Sequence, residues 1–159
     1  MPEAILTTEG VTALEYAAAT GNTNTLRILI EAQAPVDAQD NFRRTALYMA
    51  LANEQEDAAL QLIAAGANVK LSDNQSISPL HLAAKFGLSN VASDLLSHGA
   101  EVNVLSVRGT TPLAVAAYFG HVSVVRLLKD SGGKTPADWA RQAGDREIEG
   151  LLTGTASKP

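Results

Sequence analysis

The stretch Ser78-Pro79-Leu80-His81-Leu82-Ala83-Ala84, with Gly87 after it, decides the fold, because related stretches stand 33 residues before and after it. The recurring openings are Thr12-Ala13-Leu14-Glu15, Thr45-Ala46-Leu47-Tyr48, Ser78-Pro79-Leu80-His81 and Thr111-Pro112-Leu113-Ala114. A fifth copy, Thr135-Pro136-Ala137-Asp138, follows after only 24 residues. A constant step predicts one structural unit that is copied and stacked, and such a stack is more often a binding surface than a catalytic pocket.

Each copy predicts a pair of helices. The Thr or Ser is a preferred N-cap, and the Pro that follows it in three copies suits the first helical turn. The residue five positions after the cap is always a small one that lets two helices approach closely: Ala17, Ala50, Ala83, Ala116 and Ala140. A second apolar cluster, spaced by three and four residues, predicts a second helix that ends near Gly66 or Gly99. An extended crossing then leads to the next unit.

This pattern resembles the ankyrin repeat, which has a period of 33 residues and the phrase T-P-L-H-x-A. The resemblance covers residues 7–152. It implies an all-α repeat fold, an ankyrin solenoid of helix-turn-helix units with short β-hairpin fingers. We therefore expect one domain over 1–159, with unit 1 at about 7–39, unit 2 at 40–72, unit 3 at 73–105, unit 4 at 106–132, a capping unit 5 without a finger at 133–152, and a flexible tail at 153–159.

Unit 2 departs most from the pattern. Glu54 stands where the other units have a turn glycine, and a non-glycine residue held in the left-handed region costs on the order of 1 kcal/mol. We expect Asn53, which tolerates that conformation, to take over the turn and shift it by one residue. The small or polar residues Ala58, Ala59 and Gln61 thin the apolar stripe of the second helix. Unit 2 is therefore predicted to be the least stable segment.

The composition limits the class of protein. Hydrophobic residues make up 46% of the chain and aromatic residues only 4%, which favours closely packed helices over a globule with an aromatic core. The net charge is −5 and the 12 Lys and Arg residues are scattered, so no nucleic-acid partner is expected. Cysteine is absent, and no stretch reaches about 18 apolar residues. Residues 1–10 lack a signal-peptide pattern, so we expect a cytoplasmic or nuclear protein without a membrane partner.

The polar residues predict no reaction and no metal site. His81, in the repeat phrase, resembles the structural histidine that ties neighbouring fingers in ankyrin repeats. The other two histidines, His98 and His121, fall in different registers, so no pair has metal-ligand spacing. The hydroxyl of Ser78 is needed as an N-cap, which argues against a catalytic pair with His81. We expect no catalytic residue, no cofactor and no metal, and we predict that the protein is not an enzyme.

The resemblance also implies a binding surface, because in ankyrin stacks the finger tips and the inner face of the first helices form a concave groove. Carried over by register, the expected partner-binding residues are Phe42, Arg44, Asn74, Ile77, Val107, Arg108, Lys85, Phe86, Tyr118 and Phe119. Exposed apolar residues beside arginines are typical of a protein-binding hot spot. For Phe86 and Phe119, packing against adjacent helices is the alternative. We expect a monomer that holds one protein partner, as an adaptor, an inhibitor or an effector.

Two other hypotheses remain open. The apolar concave groove could serve a small-molecule binder or an unusual enzyme, and a deep closed pocket would favour that hypothesis over a protein partner. The chain could instead be a fragment or an engineered repeat binder. Arg43 and Glu54 stand in unit 2 where a consensus design would place glycine, which argues against the engineered binder.

Overall fold

The computed structural model describes residues 10–144 and Thr153. Within this part of the chain the helices are α1 (Ala13–Ala19), α2 (Thr23–Glu31), α3 (Ala46–Ala52), α4 (Glu56–Ala64), α5 (Pro79–Phe86), α6 (Ser89–Ser97), α7 (Pro112–Tyr118), α8 (Val122–Asp130) and α9 (Pro136–Ala143). The first helices α1, α3, α5 and α7 stack on one another, and the second helices α2, α4, α6 and α8 form a second layer. The architecture is the all-α repeat solenoid that the period predicts.

The first helices of units 1 to 4 begin at the residues that the sequence predicts. Thr12, Thr45, Ser78 and Thr111 have extended backbones, and the side-chain oxygen of each accepts a hydrogen bond from the N–H three residues later. The cap at Ser78 is reciprocal, since its own N–H donates to His81 Nδ1 at 3.2 Å. Replacing such a cap by Ala typically costs about 1 kcal/mol, so these helix starts are encoded locally.

Leucine and alanine at fixed repeat positions form the core. Leu14, Leu47 and Leu80 are each 1% exposed, and Leu113 is 4% exposed. The alanines five residues after the caps are buried with them: Ala17, Ala50, Ala83 and Ala116. Burying a leucine side chain contributes about 1.5–3 kcal/mol. The core is therefore a continuous strip between the two helix layers, repeated once per unit.

The turn of unit 2 corrects one expectation. Asn53 does not take the left-handed conformation, since its φ is −106°; Glu54 does, with φ 57°. The N–H of Glu54 donates to Leu51 O at 3.1 Å, and the N–H of Gln55 donates to Ala50 O at 2.9 Å. The turns of units 1 and 4 have the same pair of bonds around a glycine. Because α4 must stack between α2 and α6, the turn keeps its register and the backbone strain stays at the glutamate.

Each crossing between units contains a tight turn at its tip. We call residues 40–44, 73–77 and 106–110 finger 2, finger 3 and finger 4. In finger 2 the N–H of Asp40 donates to Arg44 O at 3.0 Å, and Asp40 Oδ1 accepts from the N–H groups of Phe42 and Arg44 at 2.9 and 2.8 Å. Asp73 and Ser106 accept the equivalent bonds in finger 3 and finger 4. A buried side-chain acceptor therefore shapes each finger.

The described fingers contain no β-strand; the only β-type assignment in residues 10–144 is an isolated bridge at Thr12. The expected β-hairpin fingers are thus not confirmed, because the backbone pairing within each finger is too short to form a ladder. Neighbouring fingers are joined instead by single backbone bonds, from Asn74 N–H to Phe42 O and from Val107 N–H to Gln75 O, both at 3.0 Å. These bonds hold the fingers along one edge of the stack.

Unit 5 is attached without a finger. Residues 131–135 lead directly from α8 to α9, and Asn103 bridges them by donating to Gly132 O at 3.0 Å and accepting from Lys134 N–H at 2.8 Å. The second helix expected within unit 5 and the tail fall at residues 145–159, which lie outside the described residues apart from Thr153. The division into four repeats and a cap stays our proposal.

None of the described helices has the length and apolarity needed to cross a membrane.

Candidate binding groove

A concave pocket of about 780 Å³ opens between finger 3, finger 4 and α7. Its lining residues are Gln75, Ile77, Ser106, Val107, Arg108, Thr110, Ala114, Val115, Tyr118 and Phe119. Apolar and aromatic side chains from α7 and the finger tips supply most of the wall, and the polar groups come from the fingers. Apolar walls with a few placed polar groups are typical of binding pockets.

One lining residue of the pocket is a small residue at a repeat position that carries larger side chains in units 2 and 3. Three residues after the cap, the hydroxyl of Tyr48 donates to Asp73 Oδ2 in the next finger at 3.0 Å. At the same position His81 Nε2 donates to Thr110 O in the next finger at 2.9 Å. Unit 4 is followed by α9 without a finger, and its equivalent residue is the exposed Ala114. The space that a larger side chain would fill therefore stays open beside α7.

The aromatic wall of the pocket is fixed to the neighbouring unit. The rings of Tyr118 and Phe119 meet edge to face, with centroids 5.1 Å apart. Phe119 also stacks on the His121 ring at 6.3 Å, and His121 Nε2 donates to Lys85 O in unit 3 at 2.9 Å. This bond gives His121 a structural role. Because the wall is anchored through α5, it is preorganised to contact another molecule.

Large apolar side chains line this pocket in contact with solvent. Tyr118 is 84% exposed, Val107 60% and Phe119 48%. Single exposed apolar residues are ordinary, but a cluster of them in one concavity marks an interaction site. Tertiary structure thus brings together five of the ten predicted partner-binding residues: Ile77, Val107, Arg108, Tyr118 and Phe119.

Arg44 and Arg108, the two finger arginines predicted to bind a partner, differ in their charge environment. Arg44 forms an ion pair with Asp40 Oδ2 at 2.6 Å and lies over the Phe42 ring at 4.8 Å. Among the described residues, by contrast, no carboxylate pairs with the exposed side chain of Arg108, which lies at the pocket. The guanidinium of Arg44 is therefore used within finger 2, and that of Arg108 is free to meet a ligand.

The other predicted residues lie outside this pocket. Phe42 is 42% exposed at the tip of finger 2, and Asn74 is exposed at finger 3. Lys85 is exposed and its Nζ lies 4.8 Å from the centroid of the Phe86 ring, while Phe86 is half-buried against the core. Their contact with a partner remains a prediction.

His81 forms a hydrogen bond with Thr110, one of the residues that line the pocket. It is 2% exposed. Its Nδ1 accepts a hydrogen bond from Ser78 N–H, so the neutral ring carries its proton on Nε2, which donates a hydrogen bond to Thr110 O. Burial lowers the pKa of His81 below its ordinary value, against the opposing effect of the bond to Thr110. Burial, followed by the neighbouring Asp73 carboxylate, raises the pKa of Tyr48 to about 12. Both side chains are thus neutral links between one unit and the next finger.

Sequence reasoning found Tyr118 but missed two other residues of the wall on α7. Ala114 and Val115 line the pocket although neither was expected to contact a partner. The available signal was Ala114 itself, a small residue at the position that holds Glu15, Tyr48 and His81 in the other units. No group of three or more His, Asp or Glu side chains with the arrangement of a metal site occurs among the described residues.

Comparison with known proteins connects this geometry to a family. The family model described as ankyrin repeats matches the chain in three copies, over residues 2–73, 61–138 and 80–155. No curated protein matches the chain. The matched ranges together span almost the whole sequence and include the fingers and first helices that form the pocket.

Proposed function

Because the chain belongs to the ankyrin repeat family, whose members are generally protein–protein interaction modules, we propose that it is a non-enzymatic module that holds a protein partner in its concave groove. The observation that carries the proposal is the pocket between finger 3, finger 4 and α7, where Val107, Tyr118 and Phe119 expose large apolar surfaces. An adaptor, an inhibitor or an effector would each use such a surface.

The shape of the surface supports a macromolecular partner. The pocket is open to solvent, and backbone bonds join its fingers to finger 2, where Phe42 and Asn74 meet. A partner that covers this row in addition to the pocket could bury a standard interface of roughly 1,600 Å². Rigid aromatic anchors with an arginine nearby are the residues that most often dominate binding energy in such interfaces.

Val107→Glu tests the proposal, with Val122→Glu as the matched control. Both valines are exposed, at 60% and 68%, but Val107 lines the pocket and Val122 begins α8 outside it. Proteins captured from a lysate should be retained by the wild type and by Val122→Glu and lost from Val107→Glu, as read by mass spectrometry. If Val107→Glu captured the same proteins as the control, the partner would bind another face.

A small-molecule ligand is the second candidate, because about 780 Å³ falls within the range of small-molecule pockets. Against an enzyme, the described lining contains no carboxylate and no imidazole that could act as an acid or base. Thermal denaturation in the presence of a metabolite library distinguishes the candidates. A small molecule that raises the melting temperature of the wild type but not of Val107→Glu would favour the second candidate.

A further inference from the structure

We propose that the partner presents an acidic peptide segment with one large apolar side chain, which enters the pocket while a neighbouring carboxylate pairs with Arg108. This inference rests on the proposed function and specifies the chemistry of the partner. It follows from three features of the pocket: its size, its apolar wall and its single cationic group.

The size and the wall select a large apolar side chain. The cavity of about 780 Å³ is bounded by Ile77, Val107, Val115, Tyr118 and Phe119, and the Tyr118 hydroxyl is the one polar side-chain group among these five. A buried polar side chain would lose its hydrogen bonds to water there without replacement. An aromatic or long aliphatic side chain loses none and can pack against the edge-to-face pair of Tyr118 and Phe119.

The charge selects an acidic neighbour. Of the described residues that line the pocket, Arg108 is the one with a full charge at neutral pH. Lys85, at the same register position as Tyr118 but one unit earlier, adds a second exposed cation on the concave side. A carboxylate beside the apolar anchor would accept a charge-assisted bond from Arg108.

The distribution of acidic residues makes this attraction local. The chain has a net charge of −5, and the second helices carry exposed or half-buried acids: Glu31, Glu56, Asp57, Asp94 and Asp130. In finger 2 the carboxylate of Asp40 neutralises Arg44. The same helices also carry the cations Arg27, Arg126 and Lys129, which leaves the outer layer with a smaller net negative charge. An acidic segment is therefore attracted to the region of Arg108 and Lys85 rather than to the outer layer.

The inference is tested by selecting binders of the full chain from a library of displayed random peptides about 12 residues long. The enriched peptides should combine Asp or Glu with Trp, Phe, Leu or Met. Arg108→Glu should weaken their binding by at least about tenfold, whereas Arg126→Glu, which reverses the same charge on the exposed face of α8, should leave it within about twofold. A peptide with Lys in place of its acid should recover affinity for Arg108→Glu.

The possible failures are distinguishable. Enriched peptides that are neutral or basic but still lose binding to Val107→Glu would overturn the inference and leave the proposed function standing. Peptides whose binding is the same for Val107→Glu and the wild type, or a selection that enriches no peptide, would overturn both. Circular dichroism spectra that match the wild type show that each variant has folded.

Discussion

The side chain three residues after each helix cap illustrates how one residue can determine the local function of a unit. Tyr48 and His81 reach the next finger and are used there in structural hydrogen bonds. Ala114 has no polar side-chain atom that could make such a bond, unit 4 is followed by α9 without a finger, and Ala114 lines the pocket. A repeat protein can thus acquire a binding site where one repeated contact is no longer required.

Glu54→Gly should stabilise the protein. Glu54 is exposed and holds φ at 57°, a conformation that glycine adopts without strain. We expect the free energy of unfolding to rise by about 0.5–1 kcal/mol, since the relief of strain exceeds the added entropy of the unfolded chain. Denaturation with urea, followed by circular dichroism, measures the change.

Two glycines provide the control for this experiment. Gly120 has φ 75°, and a Cβ added there would meet only open space, so Gly120→Ala should lower the free energy of unfolding by about 1 kcal/mol through backbone strain alone. Gly87→Ala should lower it further, because the added Cβ would lie 2.6 Å from His121 Nδ1. If Glu54→Gly and Gly120→Ala both left the stability unchanged, strain at this turn would be negligible.

Protonation of His81 should make the stability depend on pH. Burial lowers the pKa of His81 in the folded protein, whereas the unfolded chain binds the proton with a pKa of about 6.5. The unfolded state therefore binds more protons below that pH, and the free energy of unfolding falls as the pH falls, by up to about 1.4 kcal/mol per pH unit. The stabilising contribution is complete above about pH 6.5.

Melting temperatures at about pH 7.5 and about pH 5.5 test this dependence. The melting temperature of the wild type should fall further between the higher and the lower pH than that of His81→Gln, because the variant lacks the titrating group. Equal losses for wild type and His81→Gln would contradict the assignment.

At the scale of the elements, unit 2 combines a well-buried helix with two local defects. Ala58, Ala59, Leu62 and Ile63 are at most 1% exposed, so the apolar stripe of α4 is fully covered although it is thin. Gln61 Oε1, however, is buried without a hydrogen-bond partner among the described residues. An unsatisfied buried acceptor costs about 1–3 kcal/mol, which adds to the strain in the preceding turn.

Hydrogen exchange should therefore show that unit 2 opens first. We expect amides in residues 52–62 to exchange faster than those in residues 85–97, because the latter pass through a glycine turn and contain no such orphaned acceptor among the described side chains. Mass spectrometry of deuterium uptake under native conditions measures the difference. Equal protection of the two segments would refute the prediction.

At the scale of the whole molecule, the residues that determine the fold and those proposed to bind are largely different sets, although Ile77 and Phe86 also pack against the core. The repeat positions face the strip between the helix layers, and the proposed contact residues lie along the concave edge. The fold can therefore be kept while the surface changes, which suits a module whose partner is set by a few side chains.

The double variant Phe42→Ala, Arg108→Ala tests this separation. Both side chains are exposed, so the free energy of unfolding should change by less than about 1 kcal/mol while partner binding weakens. Leu80→Ala is the opposite case: Leu80 is 1% exposed, and its truncation should cost about 2–5 kcal/mol. Thermal unfolding compares the variants; loss of folding in the double variant would place those residues in the core.

The amino-acid sequence alone determined the repeat, the helix caps at Thr12, Thr45, Ser78 and Thr111, and the buried leucines and alanines. These features depend on contacts within one unit or on a contact repeated in every unit, so they appear in the sequence as residues that recur at a fixed spacing. The finger-less attachment of unit 5 was visible for the same reason, as a missing segment between Gly132 and Thr135.

Only the tertiary structure decided which candidate side chains meet. The pocket joins Ile77, Val107 and Tyr118 from three elements. Whether an arginine is available to a partner depends on whether a carboxylate lies beside it, as Asp40 does beside Arg44. The left-handed residue proved to be Glu54, because stacking of α4 on its neighbours outweighs the local preference of Asn53. Contacts between units and strain imposed by stacking are properties of the assembled layers, and a local pattern does not contain them.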